Sequence, residues 1–222
     1  MRARAGRCGR LRDLPGSRSA LDGAARPVPR PPVAISLAAA FITMAGFYGV
    51  VFVQSLYFQQ VRGASPLGTG LLFLPMTALV AILNPTAARI ALRFGSGVPI
   101  IVGQFFMVLG LLGLALAPVD LPLWAVALLM VPVGVGGSFT VPPLTSLLLE
   151  TVPAPRAGTA SGVLNTARQV GGSMGVAVSG AVIAHLAGFM GGLRVSLTAL
   201  AVLVAVTTAL SMLLPAGKDD DR

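Results

Sequence analysis

Cysteine and histidine are almost missing from this sequence. Its 222 residues hold one of each, Cys8 and His185. No intrachain disulfide can form, and the ligand sets of ordinary Cys/His metal centres cannot be assembled. Acidic residues are also scarce, seven in all, and only Asp120 and Glu150 fall between residues 33 and 215. A membrane-embedded protease or acyltransferase needs a constellation of His, Asp or Glu around a cavity. That shortage argues against an enzyme. Charged residues make up 10% of the chain, against about 25% in soluble domains, so a soluble globular protein is excluded as well.

What is present is apolar. Hydrophobic residues reach 55% and glycine 27 residues, the composition of an integral membrane protein. The net charge of +9 is unevenly placed. Residues 1–32 carry eight arginines against Asp13 and Asp22, which leaves only +3 for the rest. No basic face is interleaved with aromatics on a foldable domain, so the high charge does not point to nucleic acid. The stretch 1–32 is rich in Arg, Gly, Pro and Ala without apolar periodicity, and it reads as a disordered basic cytoplasmic tail. A misplaced start codon or a truncated gene would also produce such a tail. A transit peptide fits the composition but not the missing amphipathic spacing.

Six long apolar segments follow, at about 33–59, 67–88, 98–117, 123–149, 158–186 and 193–214, with a closing tail at 216–222. At about 1.5 Å per residue each can cross a hydrocarbon core of about 30 Å. The expected fold is therefore an all-α membrane protein with six transmembrane helices. Tyr57 and Phe58 near the end of the first segment, and Trp124 at the start of the fourth, suit membrane interfaces. Pro75 and Pro85 predict kinks, and Pro132 with the Pro142–Pro143 pair predicts a bent or broken fourth helix. Thr140, Thr145 and Ser146 could supply the lost backbone bonds.

Polar residues within these segments are the candidate functional groups. Gln54 either lines a substrate cavity or bonds a neighbouring helix. Asn84 beside Pro85 either lines the cavity or satisfies a backbone carbonyl that the proline frees. In the fifth segment Ser161, Asn165, Arg168, Gly172, Gly175 and Ser179 recur at spacings of 4, 3, 4, 3 and 4, one helical stripe. A small polar stripe should face protein or water rather than lipid. Gly158–Gly162 and Gly171–Gly175 are both G-x-x-x-G packing signals. Arg168 should have a partner, since an unpaired cation at depth costs at least about 2.5 kcal/mol. Glu150 is the nearest acidic candidate, and a gating or substrate role for Arg168 stays open. Gln169 beside it is a further cavity candidate. His185 near the end of that segment reads as an interfacial residue.

The run from Gly134 to Gly180, GVGGSFTVPPLTSLLLETVPAPRAGTASGVLNTARQVGGSMGVAVSG, resembles the last-but-one helix pair of major facilitator superfamily transporters. The branch it is most similar to is the fourteen-helix drug:proton antiporters. Ser65 to Pro75, S-P-L-x-x-G-L-x-x-L-P, resembles that family again. Ala87–Gly97 sits where the superfamily's G-x-L-x-D-R-x-G loop recurs. Arg89, Arg93 and Gly95 match it, but Ala88 replaces the first glycine and Leu92 stands at the acidic position. That departure weakens a charge-relay latch and favours a short basic cytoplasmic loop.

The resemblance implies the C-terminal six-helix half of a major facilitator fold. It implies proton-coupled efflux of small molecules, cationic or amphipathic compounds among them, with no cofactor. Partners would be the lipid bilayer, protons, and a second six-helix half or a homodimer mate. A truncated, non-transporting remnant and a membrane scaffold subunit are the alternatives. Pro142, Pro143, Glu150, Arg168, Arg89 and Arg93 are candidate structural or gating residues. The positive-inside rule places both termini in the cytoplasm of a multi-pass cell-membrane protein: thirteen Lys/Arg fall on that side and only Arg62 and Arg194 opposite.

Overall fold

The computed structural model describes residues 31–186 and 188–212. These form long helices joined by short turns: α1 (Pro31–Leu56), α2 (Pro66–Phe94), α3 (Gly97–Leu116), α4 (Leu123–Thr151), α5 (Ala157–His185) and α6 (Phe189–Ser211). A π-helical turn, Tyr57–Val61, prolongs α1, and a 3-10 turn, Ala154–Arg156, precedes α5. The tails expected at 1–32 and 216–222 lie outside the described residues, except that Pro31 and Pro32 open α1. Five of these helices are long and apolar enough to cross a membrane. The exception is α5, whose polar and small residues dilute its apolar content.

The loop expected around Arg89 and Arg93 is corrected. Both arginines lie on α2, which runs on to Phe94, and the chain turns only at Gly95, with φ of 84°. At its start α2 is fixed by Ser65, whose Oγ accepts from the Gly68 N–H at 3.1 Å, with Pro66 in the first turn. Helix α4 is likewise unbroken through Pro132, Pro142 and Pro143. Thr145 and Ser146 donate to the carbonyls of Val141 and Pro142, not to those of Ser138 and Phe139 that the prolines leave without a donor. The Thr140 hydroxyl is buried without a partner.

Helix α1 packs along α5 and α6 and also touches α4, α3 packs on α4 and α6, and α2 leans mainly on α4. Glycines set the closest approaches. Gly136 and Gly103 face each other across α3 and α4, where an added Cβ on Gly136 would stand 2.6 Å from Met107 Cβ and 2.8 Å from Gly103 O. Small residues at such crossings let backbones meet where burial alone does not drive association. Two core regions fill the interior. The larger includes Val50, Met107, Met130 and Leu197, and the smaller includes Ala39, Ile100, Leu144 and Leu164. Tyr57 and Phe58 belong to the larger core, at 4% and 0% exposure, so their rings pack against protein rather than lipid. The Tyr57 hydroxyl explains how a tyrosine is buried there: it donates to Val119 O at 3.3 Å and accepts from Arg62 Nη1 at 3.0 Å.

Candidate functional site

The two sides of the bundle differ in chemistry. On α3 and α6 the exposed side chains include Phe105, Phe106, Leu109, Val202, Leu203 and Val206, a surface suited to lipid tails. On α5 the exposed side chains include Asn165, Thr166, Gln169 and Ser173, flanked by the apolar Val163, Val170, Met174 and Val178. Thr166 and Ser173 bond their own helix, through Gly162 O and Gln169 O. Asn165 and Gln169 leave their carboxamides open. They lie roughly 12 and 18 Å from the first residue of α5 at about 1.5 Å per residue, Gln169 close to the middle of the helix and Asn165 about one turn nearer its start.

The other side of α5 is built for contact. An alanine Cβ at Gly171 or Gly175 would run into the backbone carbonyls of Phe41 and Ala45 on α1. Gly158 and Gly162, the other G-x-x-x-G pair, have nothing within 4 Å of such a Cβ. Only one of the two signals therefore marks a helix crossing within this bundle. Below it, Gly172 carries the ring of Tyr48, whose Cδ2 lies 2.7 Å from where a Cβ would be. Tyr48 meets Phe47 edge-on at 5.7 Å and is 44% exposed.

Arg168 extends to α4. Its Nη2 donates to Val141 O at 3.0 Å and to Thr145 Oγ1 at 2.6 Å. This corrects the expected pairing with Glu150, which lies exposed in the last turn of α4, roughly 13 Å further along that helix than Val141. Among the described residues the guanidinium has no carboxylate partner, and its buried Nε has no hydrogen bond. The arginine thus bridges α5 to the residues on either side of Pro142–Pro143, with Pro143 buried and Pro142 half-buried.

The remaining candidates are scattered. Gln54 is 2% exposed and borders a small cavity of about 10 Å³ with Tyr57, Leu114 and Leu193, space for about one water. Its Oε1 has no protein partner. Asn84 is exposed on α2 and makes no hydrogen bond among the described residues, so it does not satisfy the backbone around Pro85. Arg89 is exposed, and Arg93 is exposed with its guanidinium 5.6 Å from the Phe94 ring. His185 ends α5, exposed, with Nδ1 2.9 Å from Ala181 O.

Two arrangements escaped sequence reasoning. Gln104, fully buried on α3, donates to Thr207 Oγ1 at 3.4 Å and accepts from Ser211 Oγ at 3.1 Å on α6. A glutamine amid apolar residues, and a Thr/Ser pair at i, i+4, were its available signals. Arg62 Nη1 donates to Val119 O and Leu121 O, each at 2.8 Å, pinning the turn between α3 and α4 to the end of α1. Only distant carbonyls reveal that role, and a sequence does not display them.

Apolar helices of spanning length and backbones in contact at glycines define a multi-pass helical membrane protein. Comparison with known proteins narrows this. The sequence model of the Major Facilitator Superfamily matches residues 9–176, and the chain belongs to that superfamily. It is 36% identical over 154 residues to the multidrug resistance protein Stp of Mycobacterium tuberculosis, covering 68% of this chain and 28% of that protein. It is 33% identical over 142 residues to the tetracenomycin C resistance and export protein of Streptomyces glaucescens, covering 64% and 26%. It is 35% identical over 145 residues to the drug efflux pump JefA of M. tuberculosis, covering 65% and 28%. The match thus spans less than a third of each of these relatives.

Proposed function

We propose that this chain is the C-terminal six-helix half of a small-molecule exporter, that α5 spans the membrane with the other five helices, and that both termini are cytoplasmic. The relatives named for drug resistance and export support the export reading. Substrate sites in transporters built from two such repeats lie near the bilayer midplane, between the repeats. The observation that carries the proposal is the open polar row on α5. Gln169 stands near mid-helix and Asn165 one turn before it, both exposed, beside the half-buried Arg168. Lipid is a poor neighbour for such a row, whereas a water-filled cavity against a second half, or against a second copy of this chain, suits it.

The same reading assigns the proton step elsewhere. Among the described residues the only carboxylates are Asp120, in the turn between α3 and α4, and Glu150, in the last turn of α4. Neither is at mid-depth, so the coupling carboxylate belongs to the second half. Within this half, Asn165, Gln169 and Arg168 line the cavity, and Asn84 on α2 borders it. Gln54, enclosed in the core, acts through helix packing. Pro142–Pro143, held by Arg168, is the point at which α4 and α5 move together.

The test is export of a fluorescent substrate from an efflux-deficient bacterium expressing residues 1–222, with and without an uncoupler. Uncoupler-sensitive export is expected when a second half is available. Folded protein in the membrane that exports nothing, with or without a co-expressed N-terminal half, would favour a non-transporting remnant or scaffold.

A further inference from the structure

We propose that Tyr48 and Arg168 form a recognition site for planar aromatic compounds bearing an acidic or acceptor group, in preference to organic cations. The inference rests on the cavity-facing orientation of α5 given above, and it names the substrate class. Tyr48 lies about midway along α1 and its prolongation, roughly 22 Å from Val33 at about 1.5 Å per residue. A phenol at that depth is a poor neighbour for lipid, yet Tyr48 is 44% exposed. One part of the ring rests on the bare backbone at Gly172, where any side chain would displace it. Phe47 meets it edge-on at 5.7 Å. The ring is therefore a fixed platform with an uncovered part, the geometry on which flat aromatic molecules stack.

One helical turn before Gly172, about 5.4 Å along the axis, stands Arg168. Only its Nη2 is bonded, to Val141 O and Thr145 Oγ1. These two bonds hold the guanidinium between α4 and α5, while its Nε has no acceptor. Among the described residues no carboxylate lies on α1, α2, α5 or α6. The charge at the site is therefore positive and uncompensated. A cation stacked on Tyr48 meets repulsion from it, whereas a carboxylate or phenolate can accept from Nη1, the guanidinium nitrogen that is neither bonded nor buried. The open carboxamide of Gln169, adjacent in sequence, adds a donor for a carbonyl group.

The test uses the full chain in lipid nanodiscs and reads binding rather than transport. Three probes share one anthraquinone ring system: a carboxylate, its neutral amide and an ammonium derivative. The carboxylate is expected to bind about tenfold or more tighter than the ammonium, the size of one charge-assisted hydrogen bond, with the amide between. Arg168→Gln should abolish the preference, and Arg168→Lys should keep its sign. Tyr48→Leu should weaken all three probes about tenfold, the scale of one stacking contact, and Tyr48→Phe should leave them unchanged. Helical content by circular dichroism confirms that each variant is folded. Equal binding of the three probes, tighter binding of the ammonium, no binding of any, or a preference that survives Arg168→Gln overturns the proposal. Carboxylate-selective binding with no export in cells supports this site while removing the export reading.

Discussion

Replacing Gly175 with alanine measures how closely α1 and α5 approach. The new Cβ would lie 2.6 Å from Ala45 Cα and 2.7 Å from its carbonyl carbon. Both are backbone atoms, so no rotamer change relieves the overlap. Restoring contacts of about 3.5–4.0 Å requires the two helices to part by roughly 1 Å along their crossing. Overpacking of this kind costs about 1–3 kcal/mol, and a backbone-to-backbone clash belongs at the upper end. Alanine's better helix propensity returns about 1 kcal/mol. The net loss is about 2 kcal/mol, equivalent to a melting temperature lower by about 4–8 °C for a chain of this size. The assay is a thermal melt in detergent micelles followed by circular dichroism. Gly158→Ala and Gly162→Ala are the controls, because nothing lies within 4 Å of their added atoms. They should be neutral or stabilising by up to about 1 kcal/mol each. A Gly175→Ala protein as stable as the parent, or controls that lose as much as it does, would refute the reasoning.

Further outcomes follow from the side-chain bonds. Thr145→Val removes one of two acceptors from the Arg168 guanidinium and should cost about 1.5–3 kcal/mol in the same melt. Gln104→Met breaks the buried link between α3 and α6 and should cost about 0.6–1.7 kcal/mol. Gln54→Met removes a buried oxygen without a protein partner, so the melt should be unchanged or higher by the few degrees that about 1 kcal/mol represents. Arg62→Met releases the carbonyls of Val119 and Leu121, and limited proteolysis should then cut faster in the turn between α3 and α4.

The helices were legible in the sequence because long apolar runs leave the backbone no other way to satisfy its hydrogen bonds in a membrane. The end of α2 was misread for a local reason. Arg89 and Arg93 suggested a loop, but arginine is a good helix former, and the first residue that breaks the helix is Gly95. The core role of Tyr57 was hidden because it depends on Val119 and Arg62, residues outside its own helix. Charge complementarity pointed Arg168 to Glu150, yet reach decided the matter. The guanidinium meets α4 at Val141 and Thr145, well before the acid at the helix end. The two G-x-x-x-G pairs look alike in sequence, and only the position of α1 separates them. Tyr48 went unnoticed because an aromatic in an apolar helix is ordinarily core, and its exposure depends on what α1 leaves uncovered.

The most direct measurement for the whole account is thiol accessibility in membranes. In a Cys8→Ser background, single cysteines would replace Gln169 on the polar side of α5 and Val202 on the apolar side of α6, both exposed in the bundle. A membrane-impermeant maleimide needs water to reach a reactive thiolate. Labelling is expected at position 169 and none at 202. Labelling at 202 with none at 169 would mean that α5 faces lipid, and the cavity reading would be contradicted.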